Sequence, residues 1–182
     1  MAAQDTRAAR RYATALFDLA QKRGKLDAIE SDLDTVLDLL RLTPALRQMW
    51  DSPLLPAGRK RDLIGRVLGE SVDGLTLSFL RLLVDKRRED ILEIVRREIR
   101  QLADAARRLV RAEATFAVPP TPDEQAGLIR SLEQRTGEHV DLTVHVDPSI
   151  LGGVVVRLHD TVIDGSVRGT LERLREQLLQ ET

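Results

Sequence analysis

The chain contains no cysteine, and five aromatic residues supply only 3% of its 182 positions. The first absence removes disulfides, thiol catalysis and cysteine-based metal sites together. The second leaves little with which to stack single-stranded bases. No apolar run approaches the roughly 18 residues that a membrane-spanning helix needs, so no direct membrane insertion is expected. Charge of one sign is also lacking: 28 basic and 29 acidic residues leave a net charge of −1. A nucleic-acid binder usually carries a basic excess. The opening Met1-Ala2-Ala3-Gln4-Asp5 has no basic stretch followed by an apolar one, and a cytoplasmic-type compartment is the expectation.

What is present suits a globular protein: 42% hydrophobic and 31% charged residues. The charges are unevenly divided. Residues 1–110 hold 21 Lys and Arg against 17 Asp and Glu, whereas residues 111–182 hold 7 against 12. The sign change suggests two units. Only Lys22, Lys25, Lys60 and Lys86 are lysines, an arginine bias that fits GC-rich coding.

Hydrophobic periodicity divides the chain at the same place. Six helices are expected before residue 110: about 6–22, 25–41, 43–50, 58–68 and 74–84, then a long one carrying Ile91, Val95, Ile99, Leu102, Ala106 and Leu109 on one stripe. Gly24 and Gly69 stand where helices end, and Thr43-Pro44 where one begins. From Val110 the period becomes two. Val110, Ala112, Ala114, Phe116 and Val118 alternate with polar or small residues. Thr121-Pro122-Asp123-Glu124 opens a helix, Val140 to Val146 alternates again, and Val154 to Leu158 and Val162-Ile163 complete a short sheet. Ser166 is positioned to cap a final helix to about Gln180. The fold class is α+β: an N-terminal six-helix bundle over 1–109, then a small α/β domain over 110–182 with a short sheet and two helices.

Parts for catalysis are missing. His139, His145 and His159 form no ligand-spaced pair and read as solvated strand or loop residues. Gly65 and Gly69 lack the Gly-Lys-Ser/Thr continuation of a phosphate loop. Gly152-Gly153 lies between strands, unlike a dinucleotide turn, and reads as a source of positive φ angles or close packing. No cofactor, metal or catalytic residue is expected. Arginine-rich clusters occur at Arg10-Arg11, Arg59-Lys60-Arg61, Lys86-Arg87-Arg88, Arg96-Arg97 and Arg107-Arg108. They read as solvated helix faces neutralised by neighbouring acids; the alternative is a helical RNA-binding, antitermination-type module.

Two helices carry more apolar surface than one core requires. In the first, Ala8, Ala9, Tyr12, Ala13, Ala15, Leu16, Phe17, Leu19 and Ala20 cover about 200° of the wheel. In the fifth, Leu75, Leu77, Phe79, Leu80, Leu82, Leu83 and Val84 span about 220°. A surface helix needs a stripe of about 100° or somewhat more. Either both helices are surrounded within the bundle, or a groove between them receives a partner's amphipathic helix.

At these residues a family resemblance emerges. Ala9-Arg10-Arg11-Tyr12-Ala13-Thr14-Ala15-Leu16-Phe17 is similar to the opening helix of the delta subunit of bacterial F-type ATP synthase, the family of the mitochondrial oligomycin-sensitivity-conferring protein. Ser52-Pro53 followed by Lys60 resembles the family's third loop. The most specific match is Val146-Asp147-Pro148-Ser149-Ile150-Leu151-Gly152-Gly153-Val154-Val155-Val156-Arg157, then Ile163-Asp164-Gly165-Ser166-Val167-Arg168-Gly169-Thr170-Leu171. Arg11 stands where proline is frequent, and Lys86-Arg87-Arg88 replaces an Asn-Gly-Arg pattern.

The resemblance implies a non-catalytic stator subunit at the cytoplasmic face of the bacterial membrane, one copy per complex. Its helical domain would bind the alpha-subunit N-terminal helix between the first and fifth helices, and its C-terminal domain the b subunits of the peripheral stalk. By position Tyr12, Ala15 and Leu82 would line the groove. Helical spacing adds Ala8, Leu19 and Ser78. Ala13, Leu16 and Phe17 are assigned to the domain's own core. Asp147, Gly152, Gly153, Asp164, Gly165 and Ser166 are the C-terminal family motif.

Overall fold

A computed structural model describes residues 2–158 and 161–171. The chain divides into two compact units, Met1–Ala103 and Asp104–Thr182. The division precedes the change of hydrophobic period by about two helical turns, because the last helix of the bundle continues across it.

The first unit is built from helices α1 (Ala2–Lys22), α2 (Leu26–Leu42), α3 (Pro44–Asp51), α4 (Ala57–Leu68), α5 (Gly74–Asp85) and α6 (Leu92–Arg107), with a 3-10 turn over Glu89–Ile91 leading into α6. α1 begins four residues before the expected Thr6. Gly24 ends it in the left-handed conformation, φ 61°, which glycine adopts without steric cost. The Lys25 N–H then reaches back to the carbonyl of Ala20. Thr43 is the N-cap residue of α3, but its hydroxyl accepts no capping bond. Gly69 follows α4 with right-handed φ −57°, so the glycine's freedom is not what ends that helix. Asp73 does cap α5, accepting from the Leu75 N–H at 2.9 Å.

One core fills the bundle. Ala9, Ala13, Leu16 and Ala20 of α1 meet Ile29, Leu33 and Val36 of α2, Ile64 of α4, Leu80 and Leu83 of α5, and Val95 and Ile99 of α6. Phe17 is also buried, as its wheel position requires. Polar ties cross this core. Asp32 on α2 accepts from the Thr76 hydroxyl and the Asp73 N–H, both at 2.7 Å. Arg96 on α6 donates twice to Asp34 on α2 at 2.6 Å.

Two cations depart from the expected solvated faces. Lys60 and Arg96 are buried. Lys60 Nζ donates to the Trp50 carbonyl at 2.7 Å and to Glu89 Oε1 at 2.6 Å, while Trp50 Nε1 donates to the Glu89 carbonyl at 3.2 Å. A buried ammonium must be paired and hydrogen-bonded to be tolerated. Here the pairing locks α3, α4 and the 3-10 turn together.

The second unit contains β1 (Leu109–Phe116), α7 (Pro122–Thr136), β2 (His139–Val146), a 3-10 turn at Pro148–Ile150, β3 (Val154–Leu158) and β4 (Thr161–Asp164). The sheet order is β2-β1-β3-β4. β1 pairs in parallel with β2 and antiparallel with β3, and β3 pairs antiparallel with β4. Thr121 and Glu124 form the capping box of α7, each satisfying the other's backbone N–H. Val110, Ala112 and Ala114 of β1 pack with Val140, Val156, Leu158 and Leu132 of α7 as a separate core. A further helix begins at 167 and is described to residue 171. The rest of its expected span to Gln180, and His159, lie outside the described residues.

Candidate functional site

The positions of α1 and α5 follow from three contacts. At one end Arg88, just past α5, pairs with Asp5 of α1 at 3.2 Å. In the middle the Tyr12 and Phe79 rings meet edge to face, centroids 6.4 Å apart. At the other end Lys25, just past α1, pairs with Asp73 at the head of α5 at 2.6 Å. The start of one helix thus meets the finish of the other, so α1 and α5 lie side by side and antiparallel.

Helical geometry, about 100° per residue, then fixes what each side of the pair presents. Measured from Tyr12, the buried Leu16, Ala9, Ala20, Ala13 and Phe17 fall between about +40° and +140°. Ala8, Ala15 and Leu19 fall on the other side, within about 60°. Measured from Phe79, the buried Leu83, Thr76, Leu80 and Val84 again fall between about +40° and +140°. Leu75, Leu82 and Ser78 fall on the other side, within about 100°. In an antiparallel pair the two negative sides face the same way. The six residues singled out in the sequence therefore share one outer face, with Tyr12, which also packs against the core, at its inner edge.

Exposure matches this geometry. Leu19 is 44% and Leu82 41% exposed. Ala15 and Ser78 are exposed, and Ala8 and Tyr12 are half-buried. The Ser78 hydroxyl is turned onto its own helix, donating to the Gly74 carbonyl at 2.7 Å. With that donor satisfied, the face is largely apolar. Leu75, half-buried on the same side, completes it and was not singled out in the sequence. Its spacing from Leu82, seven residues or close to two turns, was the available signal.

The C-terminal motif forms a structural knot. The Gly165 N–H donates to the Val154 carbonyl, and the Val167 N–H to the Gly152 carbonyl, both at 3.0 Å. Gly153 has φ 78°, and a Cβ there would run into the Gly165 carbonyl oxygen. A Cβ on Gly152 would press on Val167 at 3.0 Å. Asp164 Oδ1 accepts from the Ser166 N–H at 2.8 Å, and the buried Ser166 Oγ accepts from the Gly169 N–H at 2.9 Å. Asp147 Oδ1 accepts from the Ser149 N–H at 2.9 Å, a bond that holds its carboxyl below the usual range. These residues join the turn before β3 to the turn after β4 and start the following helix.

Among the described residues, no three His, Asp or Glu side chains cluster as metal ligands. His139 and His145 are exposed on β2. The basic clusters are partly neutralised: Arg10 pairs with Glu98, Lys60 with Glu89, Arg61 with Asp85, Arg88 with Asp5 and Arg96 with Asp34. No described helix is long and apolar enough to cross a membrane.

Comparison with known proteins agrees with the resemblance read from the motifs. The family model described as ATP synthase delta (OSCP) subunit matches residues 8–178. ATP synthase subunit delta of Syntrophomonas wolfei is 36% identical over 172 residues, covering 94% of each chain. That of Salinibacter ruber is 38% identical over 176 residues, covering 94% of this chain and 93% of the relative. A chain in the cryo-EM structure of the Toxoplasma gondii mitochondrial ATP synthase hexamer superposes with a TM-score of 0.62 at 26% identity, covering 94% of this chain and 97% of that one. The chain belongs to the ATP synthase delta (OSCP) subunit family and is a structural, non-catalytic subunit of the ATP synthase stator.

Proposed function

We propose that the shared outer face of α1 and α5 receives the N-terminal helix of the alpha subunit, and that the C-terminal unit meets the b subunits of the peripheral stalk. One copy, held at the cytoplasmic face of the bacterial membrane, would join the catalytic head to the stalk so that the head resists rotor torque. The observation that carries this reading is the placement of Ala8, Tyr12, Ala15, Leu19, Ser78 and Leu82 on one solvent-facing side of an antiparallel helix pair.

Physical chemistry favours such a surface for this task. A joint under torque must not dissociate, and nanomolar affinity corresponds to about −12 kcal/mol. Exposed ion pairs contribute about 0–1 kcal/mol each. An apolar helix laid into an apolar groove removes area from water at about 25 cal/mol per Å² and supplies more.

The test is capture from detergent-solubilised membranes of the source cells. The tagged full chain should retain alpha and b subunits together. A fragment of residues 1–106 should retain alpha and lose b. Retention of b by that fragment, or loss of alpha from it, contradicts the division of labour.

A further inference from the structure

We infer that the groove is electrostatically polar, and that its occupant is an amphipathic helix with acidic side chains on the flank nearest the start of α1. This rests on the groove reading above and adds which end of the groove is charged, and with what sign.

The inference comes from the rim. On α1, Arg11 and Arg7 lie about 100° and 140° from Tyr12 on its solvent side. On α5, the C-cap residue Lys86 lies about 20° from Phe79 on the equivalent side. All three are exposed. None forms an ion pair among the described residues. Antiparallel packing brings Lys86 to the end of the groove where α1 begins, the end marked by the Asp5–Arg88 pair. Three acids at that end are already matched, Asp5 by Arg88, Asp85 by Arg61 and Glu89 by Lys60, while Asp90 is exposed and forms no ion pair among the described residues. Arg7 and Lys86 at that end, with Arg11 beside the central Tyr12, therefore outnumber the one unmatched acid.

The other end differs. Asp73 is paired with Lys25. On the α1 rim Asp18 and Lys22 are exposed and of opposite sign. Arg23 is exposed there as well, but it lies about 20° from Tyr12 on the core side, beside Asp73, so the groove side of α1 carries no net charge at that end. An incoming helix meets a positive field at one end of the groove and a balanced one at the other. Unmatched rim cations attract an acidic flank and repel a basic one. Rim charges act chiefly on the association rate, whereas buried apolar contacts set dissociation.

The experiment measures peptide association and dissociation by stopped flow at low and moderate salt. The probe is a synthetic peptide of the alpha-subunit N-terminal segment from the same organism. The proteins are the full chain, the triple variant Arg7→Glu, Arg11→Glu, Lys86→Glu, and a control, Arg41→Glu, Arg59→Glu, Arg66→Glu, with the same change in net charge. A gentler Arg7→Gln, Arg11→Gln, Lys86→Gln triple covers the case in which reversal perturbs folding.

The rim reversal should slow association about tenfold at low salt and flatten its salt dependence, with much less change in dissociation. The control should slow it less than twofold. Replacing the peptide's acids by their amides should remove most of the difference between full chain and rim variant. Equal association rates for the two triples overturn the polarity while leaving the groove standing. Failure of the unaltered chain to bind the peptide overturns the groove reading and this inference with it.

Discussion

The ring of Tyr12 meets the ring of Phe79 at 65°, edge to face, midway between the two ion pairs that clamp α1 and α5 at their ends. An edge-to-face aromatic pair contributes about 0.5–1.5 kcal/mol beyond its buried area. A double-mutant cycle with Tyr12→Leu and Phe79→Leu, read by chemical denaturation, should give a coupling of about 0.5–1 kcal/mol. Additive effects would show that the rings do not set the spacing of the two helices.

The left-handed position that this chain fills with arginine is a second test. Arg87 has φ 52°, in the left-handed region. Its N–H donates to the Val84 carbonyl and the next N–H, of Arg88, to the Leu83 carbonyl, so the turn after α5 needs that conformation. A non-glycine residue there costs about 1–2 kcal/mol, partly offset by glycine's greater freedom when unfolded. Arg87→Gly should stabilise the helical unit by about 0.5–1 kcal/mol, raising its melting temperature. A lower melting temperature would mean that the arginine side chain contributes more than the backbone loses.

Much of this fold was legible in the sequence because period reports burial directly. The buried Leu16, Ala13 and Phe17 and the outward Ala15 were assigned correctly from a wheel. Gly24 and the helix start at Thr121 were legible because caps obey local rules, although Thr43, read by the same rules, makes no side-chain capping bond and Gly69 is right-handed. The Lys60–Glu89–Trp50 lock was not: its partners stand 29 and 10 residues away, and only tertiary packing brings them to the ammonium. The antiparallel relation of α1 and α5 was hidden for the same reason. It depends on Asp5 meeting Arg88, 83 positions later. In the C-terminal motif Gly152-Gly153 was legible as a source of positive φ or close packing, and Gly153 has both. That its close neighbour is Gly165 was not legible, because only the tertiary fold brings the two turns together.

That close approach predicts a localised failure. Gly153→Ala would place a Cβ against the Gly165 carbonyl oxygen at a φ that disfavours alanine. The cost should be at least about 2 kcal/mol, combining backbone strain with overpacking. Hydrogen exchange should show the second unit losing protection while the helical unit keeps it. Unchanged protection in β3 and β4 would mean that the two turns can separate at little cost.

Acid stability should respond to Asp34. Its hydrogen bonds from Arg96 hold its carboxyl below the ordinary value, against a smaller opposing effect of burial. The folded value being lowered, the stabilisation is complete above the unfolded carboxylate pKa of about 4 and is lost as pH falls through the folded value. Asp34→Asn should destabilise the protein by about 0.5–1.5 kcal/mol at neutral pH, because the buried Arg96 then relies on Glu30, at 3.9 Å, for a carboxylate, while the exposure of Asp34 screens part of the lost pair. The variant should also show a shallower loss of stability below about pH 4. An unchanged acid limb would mean that the pair does not differ between folded and unfolded chains.

The central claim is that the outer face of α1 and α5 grips a helix, and Ala15 tests it most directly. Ala15 is exposed on that face, and its neighbours Ala13 and Leu16 are buried. Ala15→Asp should leave the thermal melt of the free protein within about 0.5 kcal/mol, as for other surface substitutions. Its affinity for an alpha-subunit N-terminal peptide, measured by calorimetry, should fall by a factor of about 100 or more, because docking would bury an unpaired carboxylate. Leu82→Asp should act alike with a larger effect on stability. An Ala15→Asp protein that melts normally and binds the peptide with unchanged affinity would place the helix elsewhere and contradict the account.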